Sequence, residues 1–220
     1  MKRPRICAVI VSKDLDAIRA IEPLVELFEV RIDLIGDGWQ ELAKQLNHPW
    51  IATLRTASEG GKARDGGWET GVLHRAIDLG ASIVDIQLRT SYPKDDIRYI
   101  KTFKKTTECL VSFHDMEQTL PLPDLKRIVE AQLAAGADIC KVITTAQRFE
   151  DNLTVLQLIA EFPQTKIISF AMGPLGLASR ILCPLVGGDF TYASIEKGKE
   201  SAPGQLTVRE LRKIYEMVMR

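Results

Sequence analysis

Two kinds of segment alternate along this chain from one end to the other, and that alternation constrains the fold more than any other feature. The first kind is short and rich in β-branched residues: RICAVIV, FEVRIDLI, WIATLR, SIVDIQL, CLVSFH, DICKVIT, KIISFA and DFTYAS. The second kind carries apolar residues at helical spacing, over residues 15–27, 39–46, 69–79, 97–105, 125–135, 152–162, 176–182 and 208–219. Strand period alternating with helix period means βαβ units and a parallel sheet. About eight of each within 220 residues fits a (β/α)8 barrel of minimal size. An open doubly wound sheet is the rival, but it seldom needs so many regular units in so short a chain. No linker, composition shift or low-complexity tract divides the sequence, so residues 1–220 are expected to form one barrel domain.

Composition narrows the class of partner. Lysine plus arginine number 29, balanced by 29 aspartate plus glutamate, so no net field attracts nucleic acid or an anionic membrane. An anionic ligand must be met locally, inside a cleft. Cys7, Cys109, Cys140 and Cys183 lie far apart with no C-x-x-C pair, which reads as reduced core thiols of a cytoplasmic protein. The apolar run 6–11 follows basic residues as a signal peptide would. It is too short for one, lacks a small-residue cleavage site, and reads better as a first buried strand. No apolar stretch reaches the length of a membrane span.

Charged residues inside strands are the features that point to chemistry, because an ion facing a barrel interior needs a partner or a purpose. In FEVRIDLI, Glu29, Arg31 and Asp33 alternate with apolar residues and share one face, which must be the inner one. They form either an internal ionic network or a binding surface. Lys141 in DICKVIT has Ile139 and Ile143 on its own face and little local counter-charge. Burial of that kind disfavours an ammonium and exposes an amine able to form an imine with a ketone. The competing reading is a lysine that leaves by the strand end or pairs with a carboxylate such as Glu29.

His114 closes CLVSFH just before Asp115, on the strand next to that of Lys141, where an imidazole can move protons near neutral pH. His48, in a turn, and His74, within a helix, read as hydrogen-bonded fillers, and the three histidines make no metal constellation. Arg55 ends WIATLR, with Glu59 following in a glycine-rich loop, residues 56–67. Arg180, in MGPLGLASR, is placed either to bind a carboxylate at the barrel mouth or to cap a helix on the surface. That stretch lacks both the P-loop lysine and the dinucleotide-binding spacing. The loops 56–67 and 194–205 are long, polar and on the catalytic face of a barrel, hence candidate lids.

Taken in order, these positions resemble the type I 3-dehydroquinate dehydratases of the shikimate pathway, nearly end to end. The E-x-R-x-D strand is met by Glu29, Arg31 and Asp33, and R-x-x-x-E-G-G by Arg55, Glu59, Gly60 and Gly61. The H-D pair is His114 and Asp115, the strand lysine is Lys141, M-G-x-x-G-x-x-S-R ends at Arg180, and S-A-P-G-Q spans residues 201–205. The resemblance implies that Lys141 condenses with the C3 ketone of 3-dehydroquinate to give a protonated imine. His114 would take a proton from C2 and deliver one to the departing C1 hydroxyl, held and tuned by Glu59. Arg180 would clamp the ring carboxylate with Ser201 and Gln205 closing over it, and Glu29, Arg31 and Arg55 would bind ring hydroxyls. The products would be 3-dehydroshikimate and water, with no metal or organic cofactor, in a cytoplasmic homodimer. Two departures stand out. The first barrel strand is read at residues 6–11, so the N-terminal hairpin that closes the barrel floor in longer members is expected to be missing. Gln87 stands where many members carry glutamate, so it receives no catalytic role. The rival readings are another imine-forming barrel, such as a class I aldolase, and a non-catalytic barrel that holds an anionic metabolite through Arg180 and Arg55.

Overall fold

The computed structural model describes residues 3–64, 69–88, 93–103 and 106–219. Eight strands form where the eight β-branched runs lie: β1 Ile6–Ile10, β2 Leu27–Arg31, β3 Trp50–Thr53, β4 Ile83–Gln87, β5 Glu108–His114, β6 Ile139–Thr145, β7 Lys166–Met172 and β8 Thr191–Ser194. The helices between them are α1 Leu15–Ile21, α2 Ile32–Ile35, α3 Trp39–Ala43, α4 Glu69–Asp78, α5 Pro93–Phe103, α6 Leu122–Ala135, α7 Asp151–Glu161, α8 Leu177–Leu182 and α9 Val208–Val218. All pairings are parallel, in the order β7-β6-β5-β4-β3-β2-β1-β8. The result is a (β/α)8 barrel that is nearly closed. Among the described residues no ladder joins β7 to β8. The seam is crossed by a backbone hydrogen bond from Asp189 to the Ile167 carbonyl (2.8 Å) and by an edge contact of the Phe170 and Tyr192 rings (6.3 Å).

Strand alternation sorts the side chains into two faces. Phe28, Val30, Ala52, Val84, Ile86 and Val111 pack outward under the helices. The inward residues change character with height. Cys7, Leu27, Ile51, Ile83, Leu110 and Ile139 belong to one buried apolar cluster low in the barrel. Two residues further along β2 to β6 come Glu29, Thr53, Asp85, Ser112 and Lys141, all buried and all polar, while β1 stays apolar there with Val9. An apolar plug below and a polar layer above direct the chemistry to the carboxyl ends of the strands.

Three expectations need correction. FEVRIDLI does not run as one strand: β2 stops at Arg31, and residues 32–35 wind into α2 before Gly36, whose φ of 66° ends the turn. The cause is the loss of neighbours, since Val30 pairs with the last residue of β1 and Arg31 with the last residue of β3. Asp33 therefore reaches the site from a helical turn and not from the strand face. Arg55 likewise lies two residues past the end of β3. The helical stretch 15–27 is α1 followed by a 3-10 turn at Glu22–Leu24, and Leu27 already belongs to β2.

The floor is tied from α9. Arg212 donates to the carbonyls of Leu24 (2.5 Å) and Pro4 (2.8 Å) and to both oxygens of Glu26 (2.8 and 2.7 Å). Glu26 in turn accepts the Ile6 amide at 2.7 Å. The four cysteines are buried and unpaired, and burial pushes the thiols of Cys109, Cys140 and Cys183 up to about 12. They are inert core residues. No helix among the described residues is long and apolar enough to cross a membrane.

Candidate active site

Lys141 sits in the middle of β6 with its side chain only 6% exposed. Its Nζ is 3.1 Å from Asp85 Oδ2 and 3.6 Å from Glu29 Oε1, and lies 4.4 Å from the centroid of the Tyr192 ring. The expectation of little counter-charge is therefore wrong. The residues that balance the lysine come from β4 and β2, far away in sequence, so the flanking Ile139 and Ile143 say nothing about them. The pairing with Glu29 is the competing reading made real, and it does not remove the amine from reach, since Lys141 still lines the cavity at the barrel mouth.

Asp85 is the residue that sequence reasoning missed. Its side chain is fully buried and binds three groups: Lys141, the Ser112 hydroxyl (2.5 Å) and, through an ion pair, Arg55 Nη2. Burial works to raise its carboxyl, but Arg55 and Lys141, with hydrogen bonds from Ser112 and Lys141, outweigh it and hold the group below the usual carboxylate range. A signal for it existed. Ile83, Asp85 and Gln87 repeat the apolar–polar–polar ascent of Leu27, Glu29 and Arg31 on the same inward face.

His114, the last residue of β5, places Nδ1 2.9 Å from Glu59 Oε2. Burial lowers the imidazole well below its ordinary range, and the cations Arg55, Lys141 and Arg31 push the same way, so the ring is neutral at pH 7. A neutral ring that donates from Nδ1 to Glu59 carries its lone pair on Nε2, the form a proton acceptor requires. Burial raises the Glu59 carboxyl; Arg55 pulls it down, and Asp85 adds to the rise.

The E-G-G segment has a physical reason. Glu59 ends a 3-10 turn at Ala57–Glu59, and Gly60 follows at φ 81°, a region that favours glycine. At Gly61 an added Cβ would lie 2.0 Å from the Arg55 carbonyl oxygen, so no side chain fits. Gln87 pins the start of this loop by accepting the Thr56 hydroxyl at 2.8 Å, and Asp33 accepts the Lys62 amide at 3.2 Å. Gln87 thus has a positioning contact where a catalytic role was not expected. Residues 65–67 of the proposed lid lie outside the described residues.

The arginines divide into two kinds. Arg31 is held by both oxygens of Asp33, at 2.9 and 2.8 Å. Arg55 gives Nη1 to Glu59 and to Ser112, each at 2.8 Å, and Nη2 to Asp85, so its guanidinium is occupied by the protein itself. Arg180, on α8, is different. It is 1% exposed, stacks 4.4 Å above the centroid of the Phe170 ring, and leaves Nε and Nη2 without a hydrogen-bond partner. Burial pulls its guanidinium down to about 10, still cationic at neutral pH. The surface-cap alternative is thereby excluded. Buried donors left unsatisfied are costly, and the planar fork suits a carboxylate.

The last loop closes the site from the β8 side. Ser201 gives its amide (2.9 Å) and hydroxyl (3.3 Å) to Gln205 Oε1. Gly204, at φ 75°, approaches so closely that a Cβ would lie 2.6 Å from the Gly173 carbonyl, and the Gly173 amide donates back to Pro203 (3.2 Å). Glu29, Arg31, Arg55, Glu59 and His114 line one cavity, and Lys141, Arg180, Ser201 and Gln205 line the same one. His48, 3.1 Å from Glu22, and His74, stacked on Tyr99 at 4.2 Å, do not.

A cavity with a carboxylate-flanked lysine, a neutral histidine–glutamate pair and one unsatisfied guanidinium is equipped for imine chemistry on an anionic ketone. Comparison with known proteins places the chain. A model of the type I 3-dehydroquinase family matches residues 6–220. A protein of Dehalococcoides mccartyi (strain ATCC BAA-2266 / KCTC 15142 / 195), named 3-dehydroquinate dehydratase, is 41% identical over 220 residues, covering 99% of this chain and 97% of its own. One of the same name from Methanosarcina mazei is 35% identical, covering 99% and 96%. Among solved structures, the type I 3-dehydroquinate dehydratase of Clostridium difficile shares the fold, with a TM-score of 0.86 at 22% identity, covering 99% of this chain and 93% of that one. The chain belongs to the type I 3-dehydroquinase family.

Proposed function

We propose that this chain is a 3-dehydroquinate dehydratase, a hydro-lyase that forms 3-dehydroshikimate and water through an imine on Lys141. One observation carries the reading most. A lysine Nζ beside Asp85 (3.1 Å) opens into the same cavity as the buried Arg180, whose Nε and Nη2 have no partner. Such a cavity is completed by a molecule that brings both a carbonyl and a carboxylate.

In this mechanism the Lys141 amine attacks C3 of the ketone and expels its oxygen as water, leaving a protonated imine. His114 Nε2 removes a proton from C2. The electron pair of that C–H bond moves into the C2–C3 bond, and the C=N pair moves onto nitrogen. The nitrogen pair then returns to re-form the C=N bond, the C2–C3 π pair moves into a new C1–C2 double bond as the C1–OH bond breaks, and the hydroxyl leaves with the proton from His114. Water hydrolyses the imine and frees the lysine. Glu59 holds the ring of His114 in the tautomer this requires. Arg180 binds the carboxylate, with Ser201 and Gln205 over it, while Glu29 and Arg31 meet ring hydroxyls. Arg55, held by Glu59, Asp85 and Ser112, acts on this reading as the brace of the network more than as a direct ligand. No cofactor is required, and a cytoplasmic homodimer is part of the proposal.

Incubation with 3-dehydroquinate tests it: enone absorbance should grow with time. Folded protein that leaves the substrate unchanged would instead favour an aldolase-like or purely binding barrel. A second expectation concerns Arg180→Met. Removing the partner of a buried carboxylate costs about 2–5 kcal/mol of binding, a loss of roughly 30- to several thousand-fold in kcat/KM. Because the variant also removes unsatisfied buried donors, its melting temperature should hold or rise. A variant that instead melted much lower and kept its KM would show that Arg180 serves the fold.

A further inference from the structure

We propose that Asp85 is a further catalytic residue of this site, the fixed counter-ion that keeps the Lys141 imine protonated. The inference rests on the dehydratase reading and adds a residue to it. Asp85 Oδ2 lies 3.1 Å from Lys141 Nζ, nearer than Glu29 Oε1 at 3.6 Å. Its other oxygen accepts the Ser112 hydroxyl at 2.5 Å, and Arg55 Nη2 ion-pairs with Oδ2. Anchored on both oxygens, this carboxylate stays in place when the lysine nitrogen acquires a carbon substituent. Glu29 is farther from the nitrogen, and its nearer oxygen is held by the Thr53 hydroxyl at 2.9 Å.

The charge balance explains why a fixed anion is useful. Condensation of an ammonium with a ketone, Lys–NH3⁺ plus O=C giving Lys–NH⁺=C plus H2O, conserves one positive charge on nitrogen. Two protons leave nitrogen with the ketone oxygen as water, and a C=N bond replaces the C=O bond. A carboxylate beside that nitrogen therefore faces a cation before and after the step, and it accepts no proton itself. The effect matters once the imine has formed. A buried imine without a counter-ion loses its proton, because desolvation disfavours the charged form, and a neutral imine is a poor electron sink for the C2 carbanion. Asp85 is held ionised at neutral pH by Arg55 and Lys141 against the effect of its burial.

The test measures kcat against pH for the parental protein, Asp85→Asn and Ser112→Ala, with 3-dehydroquinate as substrate. Removing an opposite charge at this distance should move the alkaline limb of Asp85→Asn down by about one to three pH units. Ser112→Ala, which loosens the carboxylate and removes one acceptor of Arg55 without removing any charge, should move it the same way by less. Both variants should still give a borohydride-reduced adduct on Lys141 at mildly acidic pH. A limb that stays at the parental position in folded Asp85→Asn, with kcat lowered equally at every pH, would mean that Asp85 merely supports the barrel. If Asp85→Asn does not fold by circular dichroism, Ser112→Ala decides: a downward shift supports the counter-ion and an unmoved limb overturns it. A parental protein inert toward 3-dehydroquinate would sink the dehydratase reading itself and this inference with it. An active parent with unmoved limbs sinks the inference alone.

Discussion

Lys141→Ala should fall by about 10⁵–10⁶-fold in kcat, the scale on which removal of a covalent nucleophile is felt. Without the amine, C3 remains a neutral carbonyl, and the C2 proton has no iminium to acidify it. Binding should survive, because Arg180, Ser201 and Gln205 approach the cavity from α8 and the last loop, elements that Lys141 does not support. The barrel should also survive. Asp85 keeps its ion pair with Arg55 and its hydrogen bond from Ser112, and Glu29 keeps the Thr53 hydroxyl, so neither carboxylate is left bare. Calorimetry with the substrate itself is then feasible, since the variant does not consume it. Heat of binding without enone formation is the expected pair of results. A variant that turned over at near the parental rate would remove the imine from the mechanism.

The second large effect is that of His114→Ala. Loss of a positioned general acid–base costs typically about 10²–10⁴-fold, and kcat should fall by that order. Amine and base are separate groups on neighbouring strands, so the adduct on Lys141 should still accumulate when borohydride is present. The pH profile adds a sign. The base must be unprotonated, and burial together with three nearby cations holds His114 well below its ordinary value. The acid limb of parental kcat/KM should therefore lie below the ordinary histidine pKa of about 6.5, and His114→Ala should lose that limb. Parental turnover that died away above pH 7 on acidification, or a variant with the parental rate, would take the proton-carrying role from His114.

The barrel was legible because each strand and helix announces itself through its own period, and eight repeats leave few architectures. What escaped was set by partners elsewhere in the chain. The end of β2 at Arg31 follows from where β1 and β3 stop, which no local pattern in FEVRIDLI reveals. The open seam between β7 and β8 is likewise a property of the whole sheet. In the site, the nine residues singled out from sequence meet at one cavity, which the inward faces of the strands, the loops after them and α8 all line. The environment of Lys141 was misjudged for a physical reason: its neighbours in sequence are apolar, but Asp85, 56 residues away, and Glu29 face it across the barrel. Asp85 itself was readable, as an acid in the middle of a buried strand, yet it gains meaning only beside Lys141. Arg180 was ambiguous because a short amphipathic helix can present an arginine to either side, and only packing against Phe170 decides.

Lys141 is the one residue on which every step depends, and borohydride reduction of the parental protein during turnover of 3-dehydroquinate, followed by peptide mass mapping, examines it directly. A single reduced adduct on the peptide that contains Lys141 is the predicted result. Enone formation with no adduct, or with the adduct on a different lysine, would contradict the account.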